Sequence, residues 1–129
     1  MIISEELQAT LDKATELVDW IIARLNGIEI KRDDRHRVPS MLFDLVIEHH
    51  ISIAQLLKLQ LCASAFTLVR CEFESFVRGS WLHYCATDKQ LESFVEKDHL
   101  TFNFREMIEA LEQKPQFAIK YFSTLRDQY

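Results

Sequence analysis

Arg70, Glu74 and Arg78 stand four residues apart in one largely apolar stretch, Arg70-Cys71-Glu72-Phe73-Glu74-Ser75-Phe76-Val77-Arg78-Gly79-Ser80-Trp81-Leu82-His83. On a helix they climb one sector, at about 0°, 40° and 80° around the axis. Glu74 can then pair with the arginine on either side of it. Charges among apolar neighbours are costly unless paired, so the ladder needs a reason. It is either an ion-pair network that fixes helix register or a set of guanidinium forks for a small anionic ligand. Ala63, Thr67 and Cys71 share the sector and are small, which suits close approach of a second helix. His50 sits mid-way in the apolar arc of the preceding helical segment, near Phe43, Val46 and Leu57. The candidate ligand-binding set is therefore Arg70, Glu74, Arg78 and His50.

The run Arg78-Gly79-Ser80-Trp81-Leu82-His83 is an arginine, four residues and a histidine. It resembles the Arg-x4–6-His signature of the HEPN superfamily, small α-helical proteins that include many metal-independent ribonucleases of toxin and phage-defence systems. The resemblance implies a catalytic pair: His83 as general acid/base and Arg78 holding the phosphate. Positions i and i+5 point about 140° apart on a straight helix. One site then needs a bend, which Gly79 would permit, or completion by a second copy. RNA is a partner under this reading alone.

A longer pattern runs Ala65-Phe66-x-Leu68-x-Arg70-x3-Glu74-x3-Arg78-Gly79-x-Trp81-Leu82-x2-Cys85-Ala86-Thr87-Asp88. It is similar to a bacterial family of unknown function whose members carry Leu-x-Arg-x3-Glu-x3-Arg-Gly-x-Trp-Leu followed by Ala-Thr-Asp. The resemblance implies a helical fold and no particular activity. Its longer members continue into a Thr-His-Gly segment, which makes this chain a shortened or truncated relative.

Other chemistry is thinly represented. His49 and His50 are adjacent, diverge by about 100° on a helix and do not chelate together. The three cysteines, Cys62, Cys71 and Cys85, match neither a zinc knuckle nor a redox CxxC. They read as small core residues in a reducing cytoplasm. The two glycines stand apart, so no phosphate-cradling loop exists. We expect no metal and no cofactor. A net charge of −5 disfavours a broad nucleic-acid footprint. Residues 28–38 are locally basic through Lys31, Arg32, Arg35 and Arg37, and read as a solvated loop.

The elements that must position these residues are helices. Only 2 Gly and 2 Pro occur among 129 residues, too little turn chemistry for an all-β fold. Ser4 is an N-cap with Glu5 and Glu6 in the first turn. Leu7, Leu11, Ala14, Val18, Ile21 and Leu25 then form a stripe at spacings of four and three. Asn26-Gly27 ends that helix. Pro39-Ser40 starts a second helix, with Ser40 as N-cap. Asp44, Glu48, Ser52, Gln55 and Lys58 form its polar arc. A break near residue 60 precedes a third helix over 61–86. Thr87 and Gln90 have the capping-box form. Thr101 and Pro115 start two further helices, the last carrying Phe117, Tyr121, Phe122 and Leu125.

The spacing therefore predicts an all-α helical bundle of about five or six helices, with two long central helices, as a single domain over 1–129. The N-terminus lacks a signal-peptide pattern and no run is long enough to span a membrane, so the chain reads as cytoplasmic. Wide apolar surfaces over 41–86 predict a homodimer or larger oligomer burying Phe66, Phe73, Phe76 and Tyr84. The leading functional expectation is a non-enzymatic interaction or oligomerisation module with a protein partner, from a mobile-element or defence-linked gene set. A ribonuclease using Arg78 and His83, and an anionic-ligand binder using the ladder, are the alternatives.

Overall fold

The structure, a computed structural model, describes residues 4–99, 102–117 and 126–127. Among these residues the chain is an all-α bundle of five helices and one 3-10 turn, with no strand. The helices are α1 (Glu5–Leu25), α2 (Asp34–Lys58), α3 (Cys62–Tyr84), α4 (Asp88–Lys97) and α5 (Phe104–Glu112), with the 3-10 turn at Pro115–Phe117. The two long helices α2 and α3 touch through His50 and Glu72 and through Phe43 and Gly79. Among the described residues no helix is long and apolar enough to cross a membrane.

Local signals account for most boundaries. Ser4 Oγ accepts the Leu7 N–H at 3.1 Å and opens α1. Gly27, at φ +82°, lets the chain leave it. The break before α3 needs neither glycine nor proline, because Gln60 takes the left-handed conformation at φ 64°. Thr87 caps α4 with a full capping box, Gln90 answering it. The expected start of α5 is corrected. Asn103, not Thr101, is the N-cap of α5, in a capping box with Glu106. Pro115–Phe117 form a 3-10 turn, and the rest of the helix expected from Pro115, with Tyr121, Phe122 and Leu125, lies outside the described residues, as does Thr101.

The start of α2 is also corrected. The helix begins at Asp34 and carries Pro39 in its interior. The second part of the expected basic loop, residues 34–38, is therefore helical, and Ser40 is no cap: its hydroxyl donates to the His36 carbonyl at 2.6 Å. Proline cannot donate to the carbonyl four residues back. Here that carbonyl belongs to Arg35, and His83 Nδ1 lies 3.2 Å from it. A side chain from α3 thus replaces the missing helical bond.

The chain divides into two compact units, each drawing on parts of α2 and α3. Unit 1 comprises Met1–Ile30 and Asp44–Phe73; unit 2 comprises Lys31–Phe43 and Glu74–Tyr129. Unit 2 has a dense core of Val77, Trp81, Leu82, Met107, Ile108 and Leu111, all at or below 2% exposure. Gly79 is buried where α2 meets α3: a Cβ there would stand 2.9 Å from the Phe43 ring. Its role is close packing, and α3 runs through it as continuous helix. Unit 1 differs. Its buried apolar side chains are Leu11, Val18, Ala54 and Ala65. Large apolar side chains in it stay exposed, among them Trp20, Ile22, Leu25, Ile28, Ile51 and Phe66. The stripe on α1 is buried at Leu11 and Val18 and open at its C-terminal end.

Arg35 also ties unit 2 together through its side chain. Its guanidinium donates to the Leu82 carbonyl at 2.9 Å, to the Ala86 carbonyl, and to Asp88 at 2.7 Å. Leu82 lies in the last turn of α3, whose carbonyls lack helical donors, and Ala86 lies in the link to α4. Asp88 is fully exposed, so its ion pair contributes little. We expect Arg35→Met to cost about 2 kcal/mol in urea unfolding, and Asp88→Asn no more than about 0.5 kcal/mol. Equal losses in the two variants would show that the carboxylate, not the carbonyls, carries the contact.

Candidate functional site

The ladder residues are more open than their apolar neighbours suggest. Arg70 and Arg78 are exposed and Glu74 is half-buried, so the ladder is not a buried ion network. Arg70 belongs to unit 1, Glu74 and Arg78 to unit 2. Arg78 lines a cleft of about 430 Å³ together with Phe94, Asp98, His99, Phe102, Asn103, Phe104 and Met107. The cleft is built by residues of α3, α4 and α5 and by Asp98, His99, Phe102 and Asn103. Met107 is buried at 2%. Phe102 packs on the buried Trp81 with ring centroids 5.3 Å apart. Asp98 closes α4 in the left-handed conformation at φ 50°. Asn103 Oδ1 accepts the Glu106 N–H at 2.9 Å, so its amide N–H groups are the ones left to donate.

His83 occupies a different setting. It is half-buried, with the His36 ring at 5.3 Å and the Tyr84 ring at 4.6 Å, both edge-on. A carbonyl only accepts, so the contact with Arg35 requires the proton on Nδ1 and leaves Nε2 as the ring's acceptor. No hydrogen bond, ion pair or ring contact joins Arg78 to His83 among the described residues. His36 in turn bonds Asp33 at 2.6 Å, which holds the Asp33 carboxyl below its ordinary range.

His50 lies in unit 1 and has a carboxylate partner, Glu72, 3.2 Å from its Nδ1. Its Nε2 is buried and has no hydrogen-bond partner among the described residues. The ring borders a small cavity of about 120 Å³ that Val18, Ile22, Ile51 and Ala54 also line. Burial raises the Glu72 carboxyl above its ordinary value, and the adjacent His50 offsets only part of that. Among the described residues no group of three or more His, Cys, Asp or Glu side chains is arranged to hold a metal ion. The three cysteines are free and half-buried, and burial raises the Cys85 thiol, which disfavours a nucleophilic thiolate there.

Sequence reasoning missed the cleft, Glu72 and the Arg35–His36 cluster. One signal was present: Asn103-x-x-Glu106 is a capping box and sets Phe102 and Phe104 on either side of a helix start. The rest required residues far apart in the chain to be brought together.

Residues 43–129 match a family described only as one of unknown function. The chain belongs to DUF6988. The DUF6988 match begins at Phe43, the ring against Gly79, and takes in the cleft and His83. It leaves α1 and Arg35 outside. No curated protein and no solved structure matches the chain.

The raised Glu72 carboxyl has a pH consequence. Folding favours its protonated form, so its contribution to stability is fully present below the ordinary value of 4.5. It is lost as pH rises through the higher folded value. Glutamine keeps the shape of the protonated form and does not titrate. We expect the stability of Glu72→Gln relative to the parent chain to rise with pH above 4.5 and then level off. Chemical unfolding from pH 4 to pH 8 reads this, and a relative stability that falls with pH would refute it.

Proposed function

We propose that this DUF6988 chain is a non-enzymatic interaction module that forms a homodimer through unit 1. The observation that carries the reading is the mismatch inside that unit. Its buried apolar side chains are two aliphatic residues and two alanines, while Ile22, Leu25, Ile28, Ile51 and Phe66 remain at 40% exposure or more. Exposed apolar patches of this kind mark contact surfaces. On α1, Ile22 and Leu25 lie within about 40° of the line through Leu11 and Val18. The stripe that packs internally at one end thus continues uncovered at the other. A second copy suits it because a two-fold contact needs one self-complementary patch. Charge supports the same occupant. The N-terminal and middle parts of α1 carry Glu5, Glu6, Asp12, Glu16 and Asp19, and its last turn carries Arg24. Antiparallel pairing of two α1 helices sets Arg24 of each against the acidic stretch of the other.

The test is light scattering after size exclusion at tens of micromolar. We expect a dimer for the parent chain, a monomer for Ile22→Asp/Leu25→Asp, and a dimer for Val95→Asp, an exposed change in unit 2. A monomeric parent chain would end the proposal.

A second reading, a metal-independent ribonuclease using Arg78 and His83, draws support from one observation. The hydrogen bond to Arg35 fixes a His83 tautomer whose Nε2 is free to accept a proton. Under this reading total RNA without added metal is cleaved by the parent chain and left intact by His83→Ala. RNA left intact in both incubations would remove it.

A further inference from the structure

We infer that the Arg78 cleft of unit 2 binds a small molecule that carries an anion on a flat ring. Its volume of about 430 Å³ falls within the range of roughly 300–1,000 Å³ that small-molecule sites occupy. Its exposed lining is more polar than apolar: Arg78, Asp98, His99 and Asn103 stand beside three phenylalanine rings and Met107. Phe94, Phe102 and Phe104 offer ring faces and edges to a planar ligand. Phe102 is held from behind by the buried Trp81, so it is a fixed platform rather than a mobile one.

The polar groups select the anion. Arg35, Arg37, Arg105 and Arg126 of the same unit are each paired with a carboxylate. Arg78 is exposed, lines the cleft, and has no such pair among the described residues. Its guanidinium fork fits a carboxylate or a phosphate. Asn103 adds amide N–H donors, since its oxygen is committed to the cap of α5. That cap already sets Glu106 at the start of α5, so the anion's charge rests on Arg78 and not on the helix end. Asp98 on the rim sharpens the choice. Its carboxylate accepts from a ring N–H donor and repels a bare anion. A nucleoside monophosphate and an amino-substituted aromatic carboxylate share this chemistry.

Trp81 supplies a built-in reporter, because it touches a ring that lines the site. The chain holds 2 tryptophans, and Trp20→Phe makes Trp81 the sole one. That protein is titrated with AMP, 4-aminobenzoate, adenosine and inorganic phosphate, following heat and Trp81 emission. We expect saturable binding of at least one ring anion with a change in Trp81 emission. AMP alone identifies the nucleotide source, 4-aminobenzoate alone the aromatic acid, and both together the shared chemistry. Adenosine and inorganic phosphate should bind at least about tenfold more weakly than the ring anion that binds. Arg78→Met should weaken that ring anion by about tenfold or more, with Arg78→Lys intermediate, since it keeps the charge and loses the fork. Arg78→Lys alone decides the point should Arg78→Met fail to fold. Absence of binding by both ring anions overturns the inference, as does affinity unchanged in the arginine variants. Inorganic phosphate binding as tightly as the ring anions overturns it too.

Discussion

Pro39 has no N–H to give, and the carbonyl it would have bound is that of Arg35. An interior proline usually breaks or kinks a helix because that carbonyl is left without a donor. In unit 2 the donor comes from another helix, His83 of α3. The same Arg35 then sends its guanidinium to the Leu82 carbonyl in the last turn of α3 and to the Ala86 carbonyl just beyond it. One residue therefore uses its backbone and its side chain on the end of α3 and the link that follows. This double tie joins the first turns of α2 to the last turn of α3 and to the link before α4. It also fixes the tautomer of His83, so the chemistry open to that imidazole is a consequence of a proline in a neighbouring helix.

The two units meet the cost of folding differently. Unit 2 buries Trp81, Leu82, Met107, Ile108 and Leu111 almost completely, at roughly 1.5–3 kcal/mol for each large side chain. It closes the remaining gap by giving up a side chain at Gly79, where Phe43 fills the space. Unit 1 buries two alanines where unit 2 has a tryptophan and leucines, and it carries a polar His50–Glu72 pair whose burial is unfavourable to the carboxylate. A unit with so little internal core and so much apolar surface gains most by being covered. Its structural weakness and its proposed role in association have one physical origin.

Helix caps and periods were legible in the sequence because they are local. Ser4, Asn26-Gly27 and Thr87-x-x-Gln90 each act within one turn, and each stands where the pattern indicated. The start of α2 was not legible, since Pro39 followed by Ser40 is an ordinary helix-start signal. The histidine from α3 serves the carbonyl that a proline in the sixth position leaves without a donor. Exposure was illegible for a related reason. Periodicity says which face of a helix is apolar, not whether anything covers it, so Leu11 and Leu25 look alike in sequence and differ in the fold. The ladder misled in the same way: its neighbours are apolar, yet Arg70 and Arg78 reach solvent.

The motif from Arg78 to Asp88 can now be sorted by cause. Gly79 is required by the closeness of Phe43, and Trp81 and Leu82 by the core. The Ala86 carbonyl and Asp88 receive Arg35, and Thr87 caps α4. Gly79, Trp81, Leu82 and Thr87 thus follow from packing or from an unsatisfied backbone group. Arg78 does not: it fills no core position, caps no helix and pairs with no carboxylate among the described residues. Glycine, tryptophan and threonine at fixed spacing around it hold the backbone of α3 in one place against α2 and α4. The same spacing therefore fixes where a guanidinium stands at the mouth of an aromatic cleft, a feature of the motif that neither the core nor a helix cap accounts for.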